Sequence, residues 1–201
     1  PKIMQNLGYS AKDSTQSINR MSEAATGLPT SLDSLATTTK VLAPLSKNLS
    51  EATSLAIGLN DAFLASGASS ADAERGLEQL SQMFSRGTVD LEGWRTAQET
   101  MPSSLSQLAK MLGITSGNTN ELYEAMKSGK ISMDDFKQAV ITMDTQGGAG
   151  FASFHAQALD ATGGIQTGLD NLGNAWARVW QRILAAIGNE NITAFFQKQQ
   201  Q

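Results

Sequence analysis

The same instruction to end one helix and begin another is written twice in this chain. Gly87-Thr88-Val89-Asp90-Leu91-Glu92-Gly93-Trp94-Arg95-Thr96-Ala97 is echoed by Gly129-Lys130-Ile131-Ser132-Met133-Asp134-Asp135-Phe136-Lys137-Gln138-Ala139. Gly87 and Gly129 stand where a helix ends in a left-handed residue, a conformation glycine adopts without steric cost. Asp90 and Ser132 carry a side-chain oxygen that can accept the free amides of the next helix. Glu92 and Asp134 then fall in its first turn, where the helix dipole favours negative charge. Trp94 and Phe136 turn an aromatic ring inward. The two copies are therefore expected to form superimposable turns with both rings on inner helix faces. This is a packing device, and none of its parts is a catalyst.

Elsewhere, helical periodicity dominates and no alternating strand pattern appears, so the predicted class is all-α: a compact bundle of short helices with a longer C-terminal amphipathic helix. Ser10 to Asp13 resembles a capping box that opens a first helix through Ile18 and Met21, closed at Gly27-Leu28-Pro29. A second is expected from Ser31 to Ala43, before Pro44. A third carries Leu45, Leu49, Leu55, Leu59, Ala62 and Phe63 on one apolar face and ends at Gly67. Further helices are expected at 70–86, 91–100, 103–112, from Asn118 to Gly129, and from the second copy of the motif to Thr145.

Three regions follow from this reading. Residues 1–146 form a helical bundle with two helix-turn-helix repeats. Residues 147–164 form a glycine-rich hinge region flanking a short helix from Phe151 to Asp160. Residues 165–201 form an amphipathic helix and tail. In the last, Ile165, Leu169, Leu172, Trp176, Val179 and Ile183 recur at heptad spacing, widened by Trp180, Leu184 and Ile187. Such a seam needs a facing helix, and tryptophan is enriched among interface anchors. Ile165, Leu169, Leu172, Trp176, Val179, Trp180, Ile183 and Ile187 are thus the candidate partner contacts, with self-association as one outcome.

Composition narrows the function classes. With 201 residues, 40% hydrophobic, the chain can bury a sizeable core. It has no cysteine, which excludes disulfides and thiolate metal sites. A net charge of −4 gives no electrostatic attraction to nucleic acid or an anionic membrane. No apolar run approaches the roughly 20 residues of a membrane span, and no signal peptide is visible. Pro1 stands where an initiator methionine would, so the natural start is expected upstream. The one histidine, His155, has no second histidine or cysteine beside it and reads as structural or exposed. Asp134 and Asp135 read as first-turn residues. Neither a nucleophile elbow nor a phosphate loop nor a dinucleotide fingerprint is present, so no catalytic, cofactor or metal residue is assigned.

A DNA-binding regulator is the alternative. Leu105 to Thr115 followed by Asn118 to Met126 has the rhythm of a DNA-binding helix-turn-helix, with Ala109, Gly113, Ile114 and Leu122 in place. Glu121 and Glu124 on the would-be recognition helix oppose phosphate binding.

The order of motifs carries a resemblance. Leu59-Asn60-Asp61-Ala62-Phe63-Leu64-Ala65-Ser66-Gly67-Ala68-Ser69, Ala73 to Met83, Gly87 to Trp94, Met101-Pro102, Glu121-Leu122-Tyr123, Ser128 to Ser132 and Thr162-Gly163-Gly164-Ile165 resemble, in succession, the N-terminal domain of phage tail tape measure proteins. The resemblance covers about Ser10 to Ile187. It implies a structural virion protein that templates tail length, with phage tail proteins and assembly chaperones as partners. It also implies a place in the virion tail, and in the host cytoplasm during assembly. No catalytic residue comes with such a domain.

Overall fold

Nearly every helix of this chain begins at a side chain able to cap it. In the computed structural model, which describes residues 9–163, Ser10, Ser31, Asn48, Ser69, Asp90, Asn118, Ser132 and Ser153 each accept a backbone amide of the following first turn. The described residues hold nine α-helices. They are α1 (Ala11–Ala25), α2 (Leu32–Leu42), α3 (Leu49–Ala65), α4 (Ser70–Ser85), α5 (Leu91–Thr100), α6 (Pro102–Met111), α7 (Thr119–Lys127), α8 (Met133–Thr145) and α9 (Phe154–Ala161). Helix α6 starts instead on Pro102, whose missing N–H costs nothing in a first turn. The all-α class is as the periodicity predicts. The longer C-terminal helix expected beyond residue 164, with the seam from Ile165 to Ile187, lies outside the described residues.

Two boundaries differ from the sequence reading: the start of the third helix, and that of the short helix expected from Phe151. Leu45 belongs to a 3-10 turn, Ala43–Leu45, and not to α3. Pro44 sits in that turn, and Asn48 caps the new helix through the amide of Glu51 at 2.8 Å. Farther on, the backbones of Gly148 and Phe151 exchange two hydrogen bonds, 2.9 and 3.2 Å long, around Ala149 and Gly150, both at positive φ. This tight turn leads into α9, which starts at Phe154.

Helix α3 is the axis of the bundle. Its residues from Leu55 to Leu64 are all buried, so it has no solvent face over nearly three turns. Helices α1, α2, α4, α8 and α9 pack around it, and α6 meets its C-terminal half. Two glycines let neighbours approach closely. A Cβ on Gly76 of α4 would stand 2.6 Å from the Phe63 ring, and one on Gly58 of α3 would stand 2.9 Å from Val140 of α8. Polar groups on α3 are paired across these contacts. Thr53 bonds Ser17 at 2.7 Å, and Asn60 donates to Thr30 at 2.9 Å.

The two signature copies form closely similar turns. Gly87 has φ +73° and Gly129 φ +82°, with open space where a Cβ would be. Asp90 then accepts from Gly93 at 2.7 Å, and Ser132 accepts from Asp135 at 2.9 Å. The second copy closes a full capping box, because Asp135 returns a bond to the Ser132 amide at 3.0 Å. Gly93 at the matching place cannot return one. Both rings are buried, and they meet: Trp94 and Phe136 lie 5.9 Å apart between centroids, with Phe84 5.7 Å from Phe136 and Tyr123 5.9 Å from Trp94. The Trp94 indole donates to the Thr119 carbonyl at 3.0 Å.

Removing either ring leaves a cavity at the junction of the repeats. Trp94→Ala and Phe136→Ala are each expected to lower unfolding free energy by about 3–5 kcal/mol. Because the rings touch, the double variant should lose less than the sum of the single losses. Urea unfolding followed by circular dichroism measures all three, and full additivity would show that the repeats pack independently.

Candidate functional site

The described residues bring three titratable side chains together where α3, α8 and α9 meet. Phe136, Val140 and Asp144 recur every fourth residue on α8, so Asp144 falls on the stripe that faces the core. Gly58 draws the α8 backbone against α3, and a Cβ there would meet the Asp144 Cβ at 3.4 Å. Asp61, one turn farther along α3, is 1% exposed, and Asp144 is 6% exposed. From α9, His155 Nδ1 reaches Asp61 Oδ2 at 3.2 Å while its ring stays partly open to solvent.

Two carboxyl groups in a dry, shared site cannot both ionise cheaply. Burial raises the Asp61 carboxyl to about 6, held down somewhat by its hydrogen bond with Asp144. Asp144 is raised further, to about 9, first by burial, then by the hydrogen bond and the negative charge of Asp61. The charges of His155 and Arg20 lower it only in part. The pair therefore keeps a proton well above the ordinary carboxylate range. Oδ1 of both residues is buried with no hydrogen-bond partner among the described residues, a cost that a proton held between the two carboxyl groups would relieve.

The sequence reading did not single out Asp61 or Asp144. A signal was present, since each is a carboxylate inside an apolar helical stripe, where charge is costly unless paired. His155, read as structural or exposed, is half-exposed and paired with Asp61. Asp134 and Asp135 occupy the first turn of α8 as read. Lys137 is buried and donates to the Leu45 carbonyl at 2.8 Å, tying α8 to the 3-10 turn.

The helix-turn-helix rhythm at 105–126 is realised as α6 and α7, with Ala109 and Leu122 buried and Gly113 at φ +96°. The outer face of α7 presents Glu121 and Glu124. Among the described residues, no group of three or more His, Cys, Asp or Glu could hold a metal ion. No described helix is long and apolar enough to cross a membrane. The candidate partner contacts Ile165, Leu169, Leu172, Trp176, Val179, Trp180, Ile183 and Ile187 lie outside the described residues.

Compared with known proteins, residues 1–184 match a family model described as tape measure protein. No curated protein and no solved structure matches the chain.

The acid pair sets the sign of the pH dependence of stability. Both folded-state values lie above the ordinary 3.8, so the folded chain holds more protons than the unfolded chain in the window above it. Stability from this pair is therefore fully present at the acid end. It falls as pH rises, through about 6 for Asp61 and about 9 for Asp144. Between those values the fall should be at most about 1.4 kcal/mol per pH unit. Asp144→Asn, which keeps a donor for Asp61, should flatten that slope and raise stability at about pH 8. Chemical denaturation across this range tests it, and an unchanged slope in the variant would exclude Asp144 as its source.

Proposed function

The chain belongs to the tape measure protein family, and from that premise we propose that it is the folded, non-catalytic head of a tape measure protein acting in phage tail assembly and length determination. The family is a structural one of phage tails, and the family match over residues 1–184 carries the reading. The bundle itself is not the ruler. Among the described residues the longest helix, α3, has 17 residues, which span roughly 25 Å at 1.5 Å per residue. Residues 9–163 double back repeatedly on that axis, whereas a ruler must extend along the tube.

In this reading the bundle is an attachment and organising unit, and length is measured by other parts of the tape. Its partners are phage tail proteins and assembly chaperones, met in the host cytoplasm during assembly, and its destination is the virion tail. The heptad-spaced residues from Ile165 to Ile187 supply a contact surface for a second helix, with Trp176, Val179, Trp180 and Ile183 at its centre.

Two experiments test this. In a phage or prophage carrying this gene, Phe136→Asp should prevent tails from forming, while in-frame shortening outside the bundle should yield shorter tails by electron microscopy. Tails shortened in proportion to residues removed from the bundle would make the bundle part of the ruler. For the seam, Trp176→Glu with Ile183→Glu should abolish oligomers in sedimentation while helical circular dichroism persists. Complete unfolding of that variant would place the seam in the domain's own core.

A further inference from the structure

Helix α9 has eight residues, too few to persist without its packing contacts. Only Phe154 and Ala158 of α9 are fully buried in the main core. Leu159 lies over Gly27, where a Cβ would stand 3.2 Å from its Cδ2, and the remaining attachment is polar. Gln157 and Gln107 of α6 exchange bonds of 2.7 and 3.0 Å, and His155 meets Asp61. Asp144 of α8 stands against Gly58, one turn before Asp61 on α3, and both carboxyl groups are buried there. We propose that Asp61, Asp144 and His155 form a proton-operated latch that holds α9 on α3 and α8, closed while the two carboxyl groups share a proton and opened when that proton leaves.

The physical basis is local. With α9 in place, loss of the shared proton leaves two carboxylates side by side in a site sheltered from water, where their repulsion is poorly screened. Lifting α9 removes His155 and admits water, so both groups ionise at little cost. Opening therefore releases one proton at neutral pH, and base favours it.

Other charges do not cancel this pair. From α1, Arg20 faces the site, but its guanidinium bonds Ser50 at 3.1 and 3.2 Å and Ser54 at 2.6 Å. From α8 the facing group is Asp144, and from α9 it is His155. The charged side chains of α2, α4 and α6 stand on their solvent-facing sides. Helix α9 ends at Ala161, just before the glycines that precede the heptad-spaced residues, so the latch fixes the place from which the chain continues. It is a property of the folded chain and does not depend on the tail-assembly reading.

Amide hydrogen exchange on the 201-residue chain, corrected for intrinsic rates, reads the latch directly. The α9 amides should open at least about tenfold more often than those of α4, and their opening constant should rise about tenfold per pH unit between about pH 7 and about pH 9, the slope of one proton lost. In Asp144→Asn that rise should vanish from α9. His155→Gln, at a half-exposed position, should open α9 more often at the acid end and keep the one-proton slope. Equal opening constants for α9 and α4 at every pH would overturn the latch, because α9 would then leave only by global unfolding. A pH-independent α9 in the wild-type chain, or an undiminished slope in Asp144→Asn, would overturn it too.

Discussion

Helix α3 is enclosed on all sides over nearly three turns, and a helix in that position must find partners for every polar group it carries. Its neighbours are chosen accordingly. Thr53 faces Ser17 from α1, Asn60 faces Thr30 beside α2, and the Ala62 carbonyl takes a second bond from Ser104 of α6 at 2.6 Å. Apolar residues from the same helix feed two packing clusters. Leu49 and Ile57 join α1 and α2, while Leu55, Leu59, Ala62 and Phe63 join the larger core. Loss of α3 would leave the surrounding helices with no common surface.

Asp61 is the most demanding group on that axis. Unlike a hydroxyl, it cannot satisfy itself on the preceding helical turn, so it draws a carboxyl from α8 and an imidazole from α9. The same residues that make the site costly to bury make it responsive to protons. Lys137 shows the contrasting solution on α8: its charge is buried beside Glu51, 3.7 Å away, and is met by a carbonyl at the end of the 3-10 turn. One end of α8 is thus pinned to the start of α3 by a cation. Near its other end Asp144 meets the buried Asp61 of α3, and the two helices run in the same direction between these contacts.

The paired signatures add a second organising element. Each turn would form on local chemistry alone, but their aromatic residues converge on a single cluster of Phe84, Trp94, Tyr123 and Phe136. A stop-start device has become a tertiary contact. For a member of the tape measure protein family, this makes residues 9–163 a folded unit in which the two repeats share one aromatic cluster.

Local order was legible in the sequence because caps and stops act within a few residues. Ser132, Asp90, Asn118 and the left-handed glycines could be read as boundaries directly, since each meets an amide only two or three residues away. The misplacement of Leu45 also has a local cause: apolar spacing alone does not distinguish a helix from the 3-10 turn that precedes its cap. Helix α3 read as one apolar face because periodicity reports which residues are apolar and is silent about how many neighbours will surround them. Asp61, Asp144 and His155 lie far apart along the chain, and only the close crossing at Gly58 and the docking of α9 bring them within reach. Helix boundaries and the inward rings were therefore determined by the sequence through short-range hydrogen bonding and periodicity. The acid pair was decided by tertiary structure, because its chemistry comes from desolvation and proximity, which do not exist until the helices pack.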